Sequence, residues 1–131
     1  MKAQLVAENS TFSPYARSHA GAVGCAQFLP STWKWLEERY GVQLDIFNCR
    51  DSIVMYGFRI RELIDNFTER GADDPEAFAY AAYNRGENGV LRTVRAIGKG
   101  FVWAAVQSAL PTETVNYVAR IRALGAAFRP S

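Results

Sequence analysis

Four stretches of the sequence set polar side chains beside glycines and aromatic rings, where a helix that only fills a core would not need them. They run from Glu8 to Pro14, from Gly21 to Pro30, from Ala81 to Gly86 and from Pro111 to Val118. Together they offer side-chain amides (Gln27, Asn84), phenols (Tyr83, Tyr117) and a carboxylate. That set suits a sugar polymer: the amides and phenols meet hydroxyl and acetamido groups, and ring faces meet sugar faces. Each residue also has a plainer structural reading. A glutamate near a helix end is solvated, Gln27 caps a turn, and Tyr83 and Tyr117 are core rings with wet hydroxyls.

Other chemistries are poorly supplied. One histidine (His19) and two cysteines (Cys25, Cys49) are too few for a closed metal site, so neither a metal nor another cofactor is expected. The two cysteines also fall short of a disulfide framework. Cys25 stands in a tight, glycine-rich turn and Cys49 just ahead of a long helix, with nothing in the sequence to bring them together. Both are expected to be reduced, Cys25 as a buried thiol.

The elements that must carry these residues read as helical throughout. A short helix is expected over about 2–9, followed by a polar, glycine-containing segment from Ser10 to Gly24. A second helix follows Pro30, Ser31 and Thr32 and stops at Gly41. A long helix over about 50–69 is announced by Asn48 as N-cap with Asp51 three residues on. It carries Ile53, Tyr56, Ile60, Leu63, Ile64 and Phe67 at helical spacing and ends at Gly71. Asp74, Pro75 and Glu76 open another helix with a cap, a proline at the first position and an acid in the first turn; it breaks at Gly86. Further helices are expected over about 88–97, 101–109 and 112–127, the last capped by Thr112. No stretch alternates with period two long enough to be a strand. The fold class is all-α, with several short helices around a central long one.

Size and composition agree with a single domain over 1–131. A chain of 131 residues buries roughly two-thirds of the surface it would expose unfolded. With 49% hydrophobic and 13% aromatic residues and a net charge of +2, it has material for a core. No apolar run approaches the roughly 20 residues that cross a bilayer. Residues 1–7 lack the features of a secretory leader: one positive charge, an apolar stretch of three, then Glu8. Charge is uneven, net −3 over 1–84 and +5 over 85–131. A solvated helical face explains this well, and nucleic acid is not expected as a partner because no basic stripe with interleaved aromatics occurs.

The ordered motifs resemble the catalytic domain of the soluble lytic transglycosylases, the peptidoglycan-cleaving branch of the lysozyme-like superfamily. Phe12, Pro14, Ala16 and Ser18 match one family motif. Gly21, Ala22, Gly24 and Gln27 match the next, followed by Pro30 and Thr32. Ala82, Tyr83, Asn84 and Gly86 match a third, and Glu113, Thr114, Tyr117 and Val118 the last. The resemblance covers residues from about 5 to 121. It implies a lysozyme-like fold, a monomer, and glycan strands of peptidoglycan as partner, met in the cell wall or periplasm. It further implies cleavage of the β-1,4 bond between N-acetylmuramic acid and N-acetylglucosamine. In that chemistry one glutamic acid, kept neutral by burial, protonates the leaving oxygen. It then takes a proton from the muramic 6-hydroxyl, giving a 1,6-anhydro product without the second carboxylate that most glycosidases need. Gln27, Tyr83, Asn84 and Tyr117 match positions that line the cleft and hold substrate. Ser10 and Ser18 stand at motif serines. Glu113 matches the family's acid in the last motif, which alternatively complements its helix terminus.

Two departures stand out. Cys25 and Ala26 replace the family's Leu and Met. More seriously, counting back without gaps from Phe12 and Pro14 places the family's Glu-Ser on Asn9 and Ser10, and Asn9 has no ionisable proton. A register with one inserted residue makes Glu8 the acid. The two positions lie roughly 100° apart around a helix, so only one faces a cleft. Motif spacing favours Asn9 and chemistry favours Glu8. In the Asn9 register the chain is an inactivated enzyme or a non-catalytic glycan-binding or virion domain. A hydrolase of the goose-lysozyme kind is the other alternative, with Asp45 and Asp51 as candidate water-positioning carboxylates. The setting fits a phage endolysin or virion protein, or a domain of a secreted enzyme.

Overall fold

The computed structural model describes residues 15, 17–18 and 21–128. The helix expected over 2–9 lies outside them. Among the described residues the fold is all-helical: α1 (Pro30–Tyr40), α2 (Cys49–Glu69), α3 (Pro75–Arg85), α4 (Glu87–Ile97), the single-turn α5 (Trp103–Val106) continued by a 3-10 turn (Gln107–Ala109), and α6 (Thr112–Phe128). Extended pairing is confined to isolated bridges of Val23 with Arg17 and with Phe28. No described helix is long and apolar enough to cross a membrane.

Local chemistry sets most helix ends. Asn48 Oδ1 accepts from the Asp51 amide at 3.1 Å, capping α2 as its sequence signals. Asp74 Oδ1 accepts from the Ala77 amide at 3.3 Å and does the same for α3. Gly41 and Gly98 close α1 and α4 in the left-handed conformation. Gly86 has the sharper task. At φ 94°, ψ 140° it ends α3 and admits α4 one residue later. A Cβ there would touch nothing within 4 Å, so the demand for glycine is conformational, not a matter of space. One expected boundary and one expected cap differ. The segment over 101–109 begins extended and turns helical only at Trp103, whose amide is held by Asp73 Oδ1 at 3.0 Å. Thr112 is not a cap but the first helical residue: the Pro111 carbonyl accepts from the amides of Thr114 and Val115 and starts the helix itself.

The chain divides into two compact units, residues 1–59 with 121–131 and residues 60–120. The second holds a continuous apolar core of Leu63, Phe67, Phe78, Val90, Val94, Val106 and Val118, completed by the alanines of α3. Alanines at 77, 79, 81 and 82 are all buried, which leaves room for the stacked Phe67 and Phe78 rings, 5.4 Å apart. In the first unit Phe28 meets Trp33 edge-on at 5.1 Å. The Trp33 indole donates to the Leu44 carbonyl at 3.2 Å, and the Leu44 amide donates to Glu37 Oε2 at 3.0 Å. One face of α1, carrying Trp33 and Glu37 a turn apart, is thus tied to the segments that flank it.

That tying corrects the expectation of two free thiols. Cys25 and Cys49 form a disulfide across a sequence separation of 24, with Cα atoms 5.4 Å apart, inside the roughly 4.4–6.8 Å span that such a bond requires. Between them α1 runs out and the 41–48 segment runs back, and the contacts of Trp33 and Glu37 fold that excursion onto itself. Closing a loop of this length in the unfolded chain is worth about 3 kcal/mol. The protein is expected to have an intact mass lower by two hydrogens than after reduction. Replacing both cysteines with alanine should lower unfolding free energy in urea by about 2–4 kcal/mol; a loss below about 1 kcal/mol would count against the bond.

Candidate functional site

Gln27 sits in a turn that determines its geometry. The amides and carbonyls of Val23 and Phe28 exchange hydrogen bonds of 2.8 and 3.1 Å, closing a loop of Gly24, Cys25, Ala26 and Gln27. Gly24 takes φ 84° and Gln27 φ 52°, the one non-glycine residue with positive φ among those described. A left-handed backbone costs a residue with a Cβ on the order of 1–3 kcal/mol and persists where surroundings over-determine it. Here the Gln27 amide donates to the Gly24 carbonyl at 3.2 Å and its side-chain Nε2 donates to the same oxygen at 2.8 Å. The turn-capping role read from the sequence is therefore real, and the side chain is half-buried with its amide direction fixed.

In the second unit the end of α3 meets the start of α6. Thr114 is 1% exposed, and its hydroxyl donates to Asn84 Oδ1 at 2.9 Å. A buried hydroxyl left without an acceptor costs about 1–3 kcal/mol, so this bond is demanded as much as favoured. With Oδ1 engaged, the exposed Asn84 still carries two Nδ2 protons that it can donate. Tyr83 beside it is half-buried and packs against the core, whereas Tyr117 is 4% exposed. Glu113 is exposed in the first turn of α6, where a carboxylate complements the helix dipole. Sequence reasoning placed Thr114 in a motif but gave it no role. Its signal was available: a hydroxyl at an inward position beside Val115 and Val118 needs a partner.

The remaining candidates divide. Glu8, Asn9 and Ser10 lie outside the described residues. Ser18 Oγ accepts from the Ala22 amide at 3.0 Å, and Ser18 also exchanges backbone bonds within the same turn. Asp45 Oδ1 accepts from the Phe47 amide and Asp51 Oδ2 from the Asp45 amide, each at 2.9 Å. Both aspartates therefore shape the approach to α2 through backbone amides. Gln27 and Ser18 belong to the first unit; Tyr83, Asn84, Glu113 and Tyr117 belong to the second.

Two stability measurements test this geometry. Gln27→Gly should be more stable than Gln27→Ala by about 1 kcal/mol, because both lose the side-chain bond and only alanine still bears the left-handed backbone. Equal stabilities would place the residue in ordinary φ. Thr114→Val should cost about 1 kcal/mol, and its combination with Asn84→Ala should cost less than the two separately, with a coupling of about 0.5–1 kcal/mol in denaturant titrations. Strict additivity would mean that the two side chains do not meet.

Comparison with known proteins adds the following. Residues 2–102 match the transglycosylase SLT domain family. No curated protein matches the chain. Among solved structures, an inactive mutant of the lytic transglycosylase Slt from Pseudomonas aeruginosa is similar with a TM-score of 0.73 over 95% of this chain, at 21% sequence identity. The chain covers 20% of that larger protein, so the likeness is one of fold. The all-α, lysozyme-like architecture expected from the sequence is the one observed. The family match takes in the Gln27 turn, the Tyr83–Asn84 helix end and positions 8–10, and the chain belongs to the transglycosylase SLT domain family.

Proposed function

We propose that the whole chain serves as one lytic-transglycosylase-type domain acting on the glycan strands of peptidoglycan in the cell wall. The observation that carries this reading is the SLT family match over residues 2–102, which contains three of the four ordered motifs. The geometry supports it. Gln27 presents a side chain on a strained, fixed turn, the kind of backbone that clusters at binding sites. Asn84 is oriented by Thr114 with donor protons to spare, and Tyr83 beside it is partly open to solvent. The disulfide suits an oxidising compartment such as the one in which wall polymers lie.

In this proposal Gln27, Tyr83, Asn84 and Tyr117 hold acetamido and hydroxyl groups, and the bond cleaved is the β-1,4 link from N-acetylmuramic acid to N-acetylglucosamine, released as the 1,6-anhydro sugar. The engagement of Asp45 and Asp51 with backbone amides favours this internal route over delivery of water by a second carboxylate. The ungapped register puts Asn9 at the acid position. The chain as written then binds glycan without cleaving it, since only the proton donor is missing.

Release of anhydromuropeptides from purified sacculi tests the reading with four proteins: the chain as written, Glu8→Gln, Asn9→Glu, and both changes together. The expected pattern is silence from the first two and turnover from the last two. Turnover by the unmodified chain that vanishes in Glu8→Gln would move the acid to Glu8 and keep the family chemistry. Products with free reducing ends would turn the reading to a hydrolase. Sacculus binding without product from any variant would leave a glycan-binding domain, and neither binding nor product would overturn the proposal.

A further inference from the structure

We propose that the Cys25–Cys49 disulfide is a positioning device for Gln27, so that breaking this one bond weakens glycan binding while the domain stays folded. The inference rests on the reading above that Gln27 contacts glycan. It adds a pair of residues to which that reading gives no role.

The argument begins with strain. Gln27 holds φ 52°, a conformation that a residue with a Cβ leaves when its restraints are relaxed. Its restraints within the turn are the Val23–Phe28 pairing and the two bonds to the Gly24 carbonyl. Each is a local hydrogen bond within six consecutive residues, so a single hinge-like opening of the turn can release them together. Cys25 lies in the same loop, two residues from Gln27, and its sulfur reaches out of the loop to Cys49.

Cys49 is a firm anchor. It is the first residue of α2, a helix of 21 residues. The Asn48 side chain caps the Asp51 amide, the Ser52 amide donates to the Asn48 carbonyl at 2.9 Å, and Asp51 holds the Asp45 amide. The disulfide therefore fastens a strained loop to a helix start held by several hydrogen bonds. Cys25 is 1% exposed and Cys49 is half-buried, so opening the bond need not expose the apolar loop residues Val23, Ala26 and Phe28, each at most 3% exposed. The covalent restraint is lost and the packing remains. The chemistry is a two-electron reduction: a dithiol supplies two electrons and two protons, the sulfur–sulfur bond breaks to give the Cys25 and Cys49 thiols, and the dithiol closes to its own cyclic disulfide.

The test is a cycle of four proteins: the native chain, Gln27→Ala, Cys25→Ala with Cys49→Ala, and all three changes together. The probe is a muramyl-glucosaminyl oligomer titrated by calorimetry, with circular dichroism to show that each protein is folded at the assay temperature. Removing the disulfide should weaken binding about five- to tenfold, Gln27→Ala should do about the same, and the triple variant should be no weaker than Gln27→Ala alone. A disulfide that only stabilises the fold would leave affinity unchanged in the folded cysteine-free protein, which overturns the inference and spares the proposed function. Losses that add in the triple variant would likewise overturn it, because the bond would then act through something other than Gln27. Absence of binding by the native chain would overturn the proposed function and this inference with it. If the cysteine-free variant does not fold, native protein reduced by a dithiol below its melting temperature replaces it. That form should lose affinity and regain it on reoxidation.

Discussion

A hydroxyl with almost no access to water must find an acceptor, and the Thr114 hydroxyl finds Asn84. That requirement joins two helix ends separated by 30 residues of chain and fixes where the end of α3 meets the start of α6. α3 has to stop just past Asn84, which Gly86 permits through a backbone angle that other residues resist. α6 has to begin so that Thr114 falls in its first turn, which the Pro111 carbonyl arranges. The alanine-rich face of α3 then lies against the phenylalanines of the core, and the polar end of the same helix is left at the surface.

The first unit meets a different difficulty. Gln27 stands in a short irregular turn and is not itself part of a helix. The turn uses layered restraint instead: a closed pair of backbone bonds, a side chain folded back on the Gly24 carbonyl, and a covalent link to the start of α2. Such over-determination is how a left-handed glutamine survives in a marginally stable fold.

The chemistry proposed for this domain is sparing in its demands on the protein. A route in which the substrate's own hydroxyl attacks needs one proton carrier and a set of well-aimed hydrogen-bond partners, not a pair of carboxylates. In the proposal Gln27, Tyr83 and Asn84 are the described residues that would serve as such partners. Asp45 and Asp51, the carboxylates on which a water-delivering enzyme would draw, each hold a backbone amide through one oxygen. In the proposed register the residue at position 9 therefore carries unusual weight, because there a single amide in place of a carboxylic acid would separate binding from cleavage.

The sequence alone determined the helical class, most helix ends and the family. These depend on short-range chemistry: Asn48 and Asp74 cap their own first turns, Gly41, Gly71, Gly86 and Gly98 terminate, and Pro75 fits where a helix begins. The motifs around Gln27, Tyr83 and Asn84 were legible for the same reason, since each is a local pattern. The start of α6 at 112 was legible, but its cap was assigned to Thr112, and only the hydrogen bonds show that the Pro111 carbonyl is the one used. The disulfide and the Thr114–Asn84 bond were hidden altogether. Their partners are 24 and 30 residues apart, and separation along the chain does not encode approach in space. Approach depended on how Trp33 and Glu37 fold α1 against its flanks and how the alanines of α3 let it pack against the core, and those contacts exist only in the folded chain.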